Sequence, residues 1–206
     1  MPKVVPALCA ALALLAAAAP ARADEFRLLS YARLGRAAVF DSKSPRREPG
    51  MGFGVRGGTD TFAIDVSFLN FVLGFHPVDE VRDMSAGSML KIEGLRYLSP
   101  RAKSSAYVGG GMSWGHLSLG RSAPPGEGAT SWGGHGLQAE FTAGYELARK
   151  GPVRLFVQAD ATAPLFRAAS QTYDYSQPGR LVTTGTETLY APTVVVSFGV
   201  GWHRTR

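Results

Sequence analysis

The residues of this chain best suited to chemistry are a histidine and a serine, His116 and Ser118, with one residue between them. Residues two apart on an extended strand project from the same face. An imidazole placed in this way could activate the serine hydroxyl as a nucleophile for ester cleavage. A carboxylate would also be needed to orient the histidine, and the nearest candidates are Glu127 and Glu140. Catalysis is therefore one hypothesis for this pair, and ordinary polar residues at a strand end are the other.

The remaining chemical motifs predict neither a metal nor a cofactor. The four histidines have no metal-ligand spacing and no cysteine near them. The glycine run at 109–111 is not followed by the Gly-Lys-Ser/Thr of a phosphate loop. We therefore expect a protein without catalytic, cofactor-binding or metal-binding residues.

The elements that carry these residues alternate apolar and polar positions with a period of two, which is typical of long β-strands. The alternation is cleanest from Leu137 to Leu147, from Val153 to Ala163 and from Val194 to Trp202, and it is weakest from Arg27 to Phe40. The alternation changes parity near Leu69 and Gly94, which predicts a bulge or a strand end at each place. The predicted strands are 27–40, 50–57, 61–75, 85–98, 104–119, 134–147, 152–167 and 187–203.

The connections between these strands alternate between short turns and long loops rich in proline, glycine and charge. An even number of antiparallel strands, with short turns at one end and long loops at the other, is the layout of an outer-membrane barrel. The sequence therefore predicts an all-β protein, an eight-stranded antiparallel up-and-down transmembrane barrel with short periplasmic turns and long extracellular loops.

The direction of the apolar face separates two alternatives. A membrane barrel turns this face to lipid, whereas a soluble lipocalin-like barrel in the periplasm would turn it inward around a lipid ligand. We favour the membrane barrel because its long stripes end in aromatic residues and because charges of both signs lie mid-strand on the opposite face. The predicted aromatic girdle consists of Tyr97, Trp114, Tyr145, Tyr190 and Trp202. The predicted polar interior consists of Asp65, Lys91, Glu93, Glu140, Arg154 and Asp160.

The beginning of the chain has the pattern of a secretory signal. Lys3 precedes a short apolar run, and Ala21-Arg22-Ala23 provides a cleavage site, so residues 1–23 are predicted to be a signal peptide and 24–206 the barrel domain. The only cysteine, Cys9, lies inside this segment. Export and dispersed basic residues argue against a nucleic-acid partner.

On these features the sequence resembles the small eight-stranded outer-membrane barrels of Gram-negative bacteria, of the OmpA, OmpX and OmpW kind. The resemblance includes the closing runs 136–145 and 194–202. It implies a monomer in the outer membrane that contacts membrane lipid and lipopolysaccharide. The implied role is envelope integrity, surface interaction or narrow passage of small solutes. Such barrels end on an aromatic residue recognised by the barrel-insertion machinery, whereas here four residues, 203–206, follow Trp202.

Three further hypotheses concern the two ends of the barrel. The His116 and Ser118 pair is similar to that of the lipid A deacylases, but these continue with Asn-Ala-Gly where this chain has Leu119-Gly120-Arg121. The turn end carries cations that could contact inner-leaflet phosphates or an anionic wall polymer: Arg101, Lys103, Arg149, Lys150, Arg204 and Arg206. Aromatic and proline residues in the long loops could contact a surface partner: Pro124, Pro125, Trp132, Tyr173 and Tyr175.

Overall fold

The computed structural model describes residues 26–40, 45–71, 85–121, 129–173 and 181–203, so the predicted signal peptide lies outside the described residues. Within these ranges the regular elements are strands, and no described helix is long and apolar enough to cross a membrane. The strands are β1 (Arg27–Phe40), β2 (Pro45–Gly58), β3 (Phe62–Phe71), β4 (Ser85–Tyr97), β5 (Ser105–Arg121), β6 (Ala129–Leu147), β7 (Val153–Pro164), β8 (Ala168–Tyr173), β9 (Leu181–Leu189) and β10 (Thr193–His203).

Eight of these strands, β1 to β7 and β10, form a closed antiparallel barrel. Each strand from β1 to β6 pairs with the next, β7 pairs with β10, and β10 returns to β1. The predicted fold is therefore confirmed, and the weakly alternating segment 27–40 is the first strand. We call the end with the β2–β3, β4–β5 and β6–β7 turns the turn end, and the opposite end the loop end.

The loop end holds structure that the sequence did not predict. β2 begins at Pro45 and β6 at Ala129, both earlier than expected. Strands β8 and β9 form a hairpin in the predicted last long loop, and β9 includes residues 187–189 of the predicted last strand, which begins only at Thr193. β8 also pairs with the first residues of β6, Ala129 to Gly133, so the hairpin continues the barrel wall. The threonine-rich segment 181–189 has little apolar alternation, which explains why hydrophobic periodicity did not reveal it.

Of the two alternatives predicted near Leu69 and Gly94, the bulge is wrong, whereas strand ends do follow shortly, at Phe71 for β3 and at Tyr97 for β4. β3 and β4 pair without a register shift from Phe62 to Phe71, and β4 runs through Gly94 to Tyr97. The parity of the pattern changes there because apolar side chains also occupy the inner face at both ends of the barrel. Leu69 and Phe71 point inward at the loop end, and Leu95 and Tyr97 at the turn end.

The apolar stripes face outward. Val157 and Phe198 are 51% and 50% exposed, whereas Asp160 and Glu140 are 0% and 6% exposed. On β10 the outward residues run from Val194 to Trp202, which at about 3.3 Å per residue and a tilt near 40° gives an apolar height of roughly 20 Å before side chains are added. A soluble barrel would have the opposite arrangement, so the lipocalin-like alternative is wrong.

Candidate functional site

The interior next to the turn end is organised around Arg56 of β2, which is buried. Its Nε donates a hydrogen bond to Asp65 Oδ2 at 2.9 Å, and its Nη1 donates to Glu146 Oε2 at 3.0 Å. Its Nη2 donates to Gln158 Oε1 at 3.1 Å. Three strands other than its own therefore supply acceptors to one guanidinium, a planar fork suited to several acceptors at once.

Aromatic rings close the space around the same guanidinium. Its carbon lies 5.5 Å from the ring centre of Tyr31, 4.9 Å from that of Tyr107 and 5.0 Å from that of Phe156, within cation–π range. The Tyr31 hydroxyl donates to Asp65 at 2.7 Å, and the Tyr107 hydroxyl donates to Gln158 at 2.8 Å. We call this set the turn-half cluster: Tyr31, Arg56, Asp65, Tyr97, Tyr107, Glu146, Arg149, Arg154, Phe156 and Gln158.

Tyr97 and Arg149 cover the cluster at the turn end, and both differ from expectation. Tyr97 is 3% exposed and its hydroxyl donates to Glu146 at 2.7 Å, so its assignment to the outer girdle is wrong. Arg149 lies 3.7 Å above the Tyr97 ring and donates to the carbonyl oxygens of Asp60 and Pro100. This arginine therefore belongs to the barrel's own packing and is not available to a phosphate.

A second group of charges fills the middle of the barrel around Asp160 of β7. Arg33 donates to its Oδ2 at 2.6 Å, and Lys91 donates to its Oδ1 at 2.7 Å. Lys91 also lies 2.9 Å from Glu93 and 3.6 Å from Glu140, whose oxygens accept from Ser113 and Thr162. We call this set the middle cluster: Arg33, Lys91, Glu93, Ser113, Glu140, Thr142, Asp160 and Thr162.

The two clusters form one network of balanced charge. Gln158 accepts from Arg56 and donates to Asp160 at 2.7 Å, which joins them. Together they hold five cationic and five anionic side chains, so the interior pairs each charge instead of leaving it isolated in low dielectric. The structure places all six predicted interior residues in this network: Asp65, Lys91, Glu93, Glu140, Arg154 and Asp160.

Sequence reasoning missed Arg33, Arg56 and Arg149 as members of this network. Arg33 lies on the segment whose alternation is weakest, and Arg56 lies on a strand rich in glycine. The neighbouring residues could have revealed these two arginines. Leu34 and Val55 face outward, and adjacent residues of a strand point to opposite faces, so Arg33 and Arg56 must face inward.

The interior at the loop end is mainly apolar, with Glu48 of β2 as a buried charged residue opposite Ala37. Leu119 and Val195 are completely buried there, and Trp132 is 8% exposed. The predicted role of Trp132 as an exposed contact for a surface partner is therefore wrong. We call this set the loop-half cluster: Ala37, Val39, Leu69, Phe71, Met89, Leu117, Leu119, Trp132, Ala168, Ala191 and Val195.

Large rings fit inside the barrel because glycines lie opposite them. A Cβ added to Gly199 would overlap the ring of Phe156, and one added to Gly87 would overlap the ring of Phe71. In both cases the paired strand supplies a position without a side chain, so an aromatic ring can lie flat against its backbone. The same arrangement therefore serves the turn-half cluster and the loop-half cluster.

The other four predicted girdle residues point outward. Trp114, Tyr145, Tyr190 and Trp202 are all exposed, at the upper or lower limits of the apolar surface. Tyr190 lies just after β9 and not within a barrel strand. Their contact with membrane headgroups remains a prediction.

The candidate catalytic pair also lies on the outer face. His116 and Ser118 occupy outward positions near the end of β5, and His116 pairs with His135 across the sheet. Glu140 points into the barrel, where Ser113 and Thr162 bind it, so it does not reach His116. Glu127 lies outside the described residues. Among the residues that are described, no group of three or more His, Cys, Asp or Glu could hold a metal ion.

Several proposed surface contacts are only partly described. Arg101, Lys103 and Lys150 are exposed at the turn end, whereas residues 204–206 are not described. Pro124, Pro125 and Tyr175 lie outside the described residues, and only the backbone of Tyr173 is described.

Solved structures of similar fold are outer-membrane β-barrels. Neisserial surface protein A superposes with a TM-score of 0.60 at 9% identity, over 88% of this chain and 100% of that one. A major outer membrane protein of Thermus thermophilus gives 0.56 at 11% identity, over 87% and 99%. The attachment invasion locus protein Ail of Yersinia pestis gives 0.52 at 12% identity, over 88% and 99%. The chain matches no protein-family model. Comparison with curated proteins gives no match.

Proposed function

We propose that this chain is a sealed outer-membrane barrel, monomeric and non-enzymatic, that acts through its lipid-facing surface and its loop end. The fold and the outward apolar belt are those of an outer-membrane barrel. Of the roles open to such a barrel, envelope integrity and surface interaction fit the interior better than solute passage.

The observation that carries this proposal is the filling of the interior at three successive levels. Arg149 and Tyr97 cover the turn-half cluster, the charges around Asp160 fill the middle, and Leu119 and its neighbours fill the loop half. An eight-stranded barrel is just wide enough for its interior side chains to fill. A solute would have to break buried ion pairs in order to pass.

The test is the conductance of the purified full-length protein in planar lipid bilayers, with uptake of small sugars into liposomes as a second measurement. We expect no conductance above that of protein-free membrane. As a positive control, a variant that removes Arg33, Lys91 and Arg56 together should leak if it folds, because it takes large side chains out of both the middle cluster and the turn-half cluster. A steady, ion-selective conductance of the unmodified protein would overturn the proposal.

We also propose that the protein has no enzymatic activity, and the position of His116 supports this. Its imidazole is exposed on the outer face, whereas the predicted partner Glu140 points into the barrel and binds Ser113. Lipid A from cells that express the protein and from cells that express His116→Ala should carry the same acyl chains. Loss of an acyl chain only with the unmodified protein would establish a deacylase.

Surface interaction is supported by the loop end. β6 extends beyond its pairing with β7, and β8 and β9 add two further strands next to its first residues. A structure of this kind presents a fixed β-surface to the exterior. Ail, which has a similar fold, is named as an attachment invasion locus protein, and one of its structures contains the heparin analogue sucrose octasulfate.

A further inference from the structure

The outer surface of the barrel contains an apolar groove. A groove of about 620 Å³ lies on the outer face where β10, β1, β2 and β3 are neighbours. Its floor is the small side chain of Ala32, which pairs with Val200 on one side and Phe53 on the other. We call it the β1–β2 groove, and its outward-facing lining is Ala32, Leu34, Met51, Phe53, Phe68, Asn70, Phe198, Val200 and Trp202.

The walls of the groove are large and apolar. Phe53 and Phe68 lie with their ring centres 5.6 Å apart on one side, and Phe198 stands on the other. The volume falls within the range of about 300–1,000 Å³ found for small-molecule sites. Because the groove opens into the hydrocarbon layer in the proposed orientation, the occupant that fits its chemistry is a lipid acyl chain.

The loop-side rim of the groove adds charge to this apolar surface. Arg36 is exposed on the outer face of β1 two residues beyond Leu34, which places it about 7 Å further along the strand. Arg47 is exposed on the outer face of β2 four residues from Met51, at about 13 Å. Asn70 pairs directly with Met51 and offers an amide at the same rim. Two guanidinium groups above an acyl-sized groove complement a lipid that carries two phosphates.

We propose that the β1–β2 groove binds the bisphosphorylated glycolipid of the outer leaflet, lipid A, with one acyl chain over Ala32 and its phosphates at Arg36 and Arg47. The proposal rests on the proposed outer-membrane orientation, in which the loop end faces the outer leaflet. It differs from general lipid contact because it assigns one position on the barrel and one headgroup chemistry.

The test is native mass spectrometry of the purified full-length barrel in detergent, with lipid A, phosphatidylglycerol or phosphatidylethanolamine added in separate samples. We expect one lipid A per barrel at the lowest lipid concentrations. Ala32→Phe fills the groove, and Arg36→Gln with Arg47→Gln removes the cations. Each should weaken lipid A binding by about tenfold or more, a loss of about 1.4 kcal/mol. Circular dichroism checks folding, and Ala32→Leu is the second variant if Ala32→Phe does not fold.

The chain supplies a matched control for each change. Ala159→Phe adds the same ring to an exposed alanine of β7 outside the groove, and Arg96→Gln removes an exposed outward arginine at the turn end. Both should bind lipid A as the unmodified protein does. If Ala159→Phe weakened lipid A binding as much as Ala32→Phe does, the binding would be general lipid contact and not a site in the groove. Equal binding of phosphatidylglycerol would contradict the assignment to lipid A. Neither result affects the conductance measurement, so this inference and the proposed function can fail separately.

Discussion

In the turn half of the interior Arg56 and Glu146 fill the barrel with paired charges, whereas in the loop half Leu119 and Trp132 fill it with apolar side chains. Both halves use the same strands and the same inward positions. The closed barrel therefore fixes which positions point inward but not their polarity. The two fillings depend on different physics, hydrogen bonding and charge pairing in one and shape and apolar burial in the other.

The largest expected effect comes from breaking the middle cluster. Asp160→Asn keeps the shape of the side chain but removes the charge that Arg33 and Lys91 share. We expect the free energy of unfolding to fall by about 3–5 kcal/mol, because the buried Arg33 loses the carboxylate that it binds and Lys91 loses one of three. Urea unfolding in lipid vesicles, followed by tryptophan fluorescence, measures this change. Asp60→Asn, at a half-exposed pair with Arg27, should change it by less than about 0.5 kcal/mol.

The loop-half cluster should respond to lost volume instead of lost charge. Leu119→Ala leaves a cavity among packed apolar groups, and we expect a loss of about 3 kcal/mol in the same unfolding measurement. Leu90→Ala, on the outer face, should cost about half as much, because lipid can fill the space and only the transfer of the lost methyl groups remains. Equal losses at the two positions would show that the loop half is not packed as described.

Both halves of the interior contain a glycine that lies opposite an aromatic ring. Gly199→Ala would press on Phe156 in the turn half, and Gly87→Ala would press on Phe71 in the loop half. We expect each to reduce the free energy of unfolding by about 1–3 kcal/mol, since an added methyl group forces the ring to move. Gly133→Ala, whose added Cβ meets nothing within 4 Å, is the control and should be neutral within about 0.5 kcal/mol. A neutral Gly199→Ala would count against the described ring packing.

The smallest expected effect is at the turn end. Arg149→Gln removes the cation above Tyr97 and should cost about 1–2 kcal/mol, while the conductance stays at the background level because the middle cluster still fills the barrel. Lys150→Gln, its exposed neighbour, should leave stability unchanged. Channel opening in Arg149→Gln alone would show that Arg149, and not the middle cluster, closes the barrel.

The contrast between the halves also explains what the sequence could predict. Clean alternation on β6, β7 and β10 was enough to assign their outward face, and from it the position of Asp160 and Glu140. Tyr97 was assigned to the wrong face because amphipathic rings suit both a membrane surface and a polar interior. Apolar side chains on the inner face, Leu69 in the loop half and Leu95 at the turn end, produced the parity changes that resembled bulges or strand ends. The β8–β9 hairpin gave almost no hydrophobic signal, since the threonine-rich β9 has little apolar alternation.

The central claim is that the outward stripes touch lipid and the inward stripes do not. The most direct test is solid-state NMR of the isotope-labelled full-length barrel in lipid vesicles, with magnetisation transferred from the acyl-chain protons to the protein. It needs no substitution in the filled interior, and it compares Val157 and Phe198, which point outward, with Gln158 and Ser197, which point inward. We predict strong transfer to 157 and 198 and little to 158 and 197. Strong transfer to 158 and 197 with none to their neighbours would contradict the account.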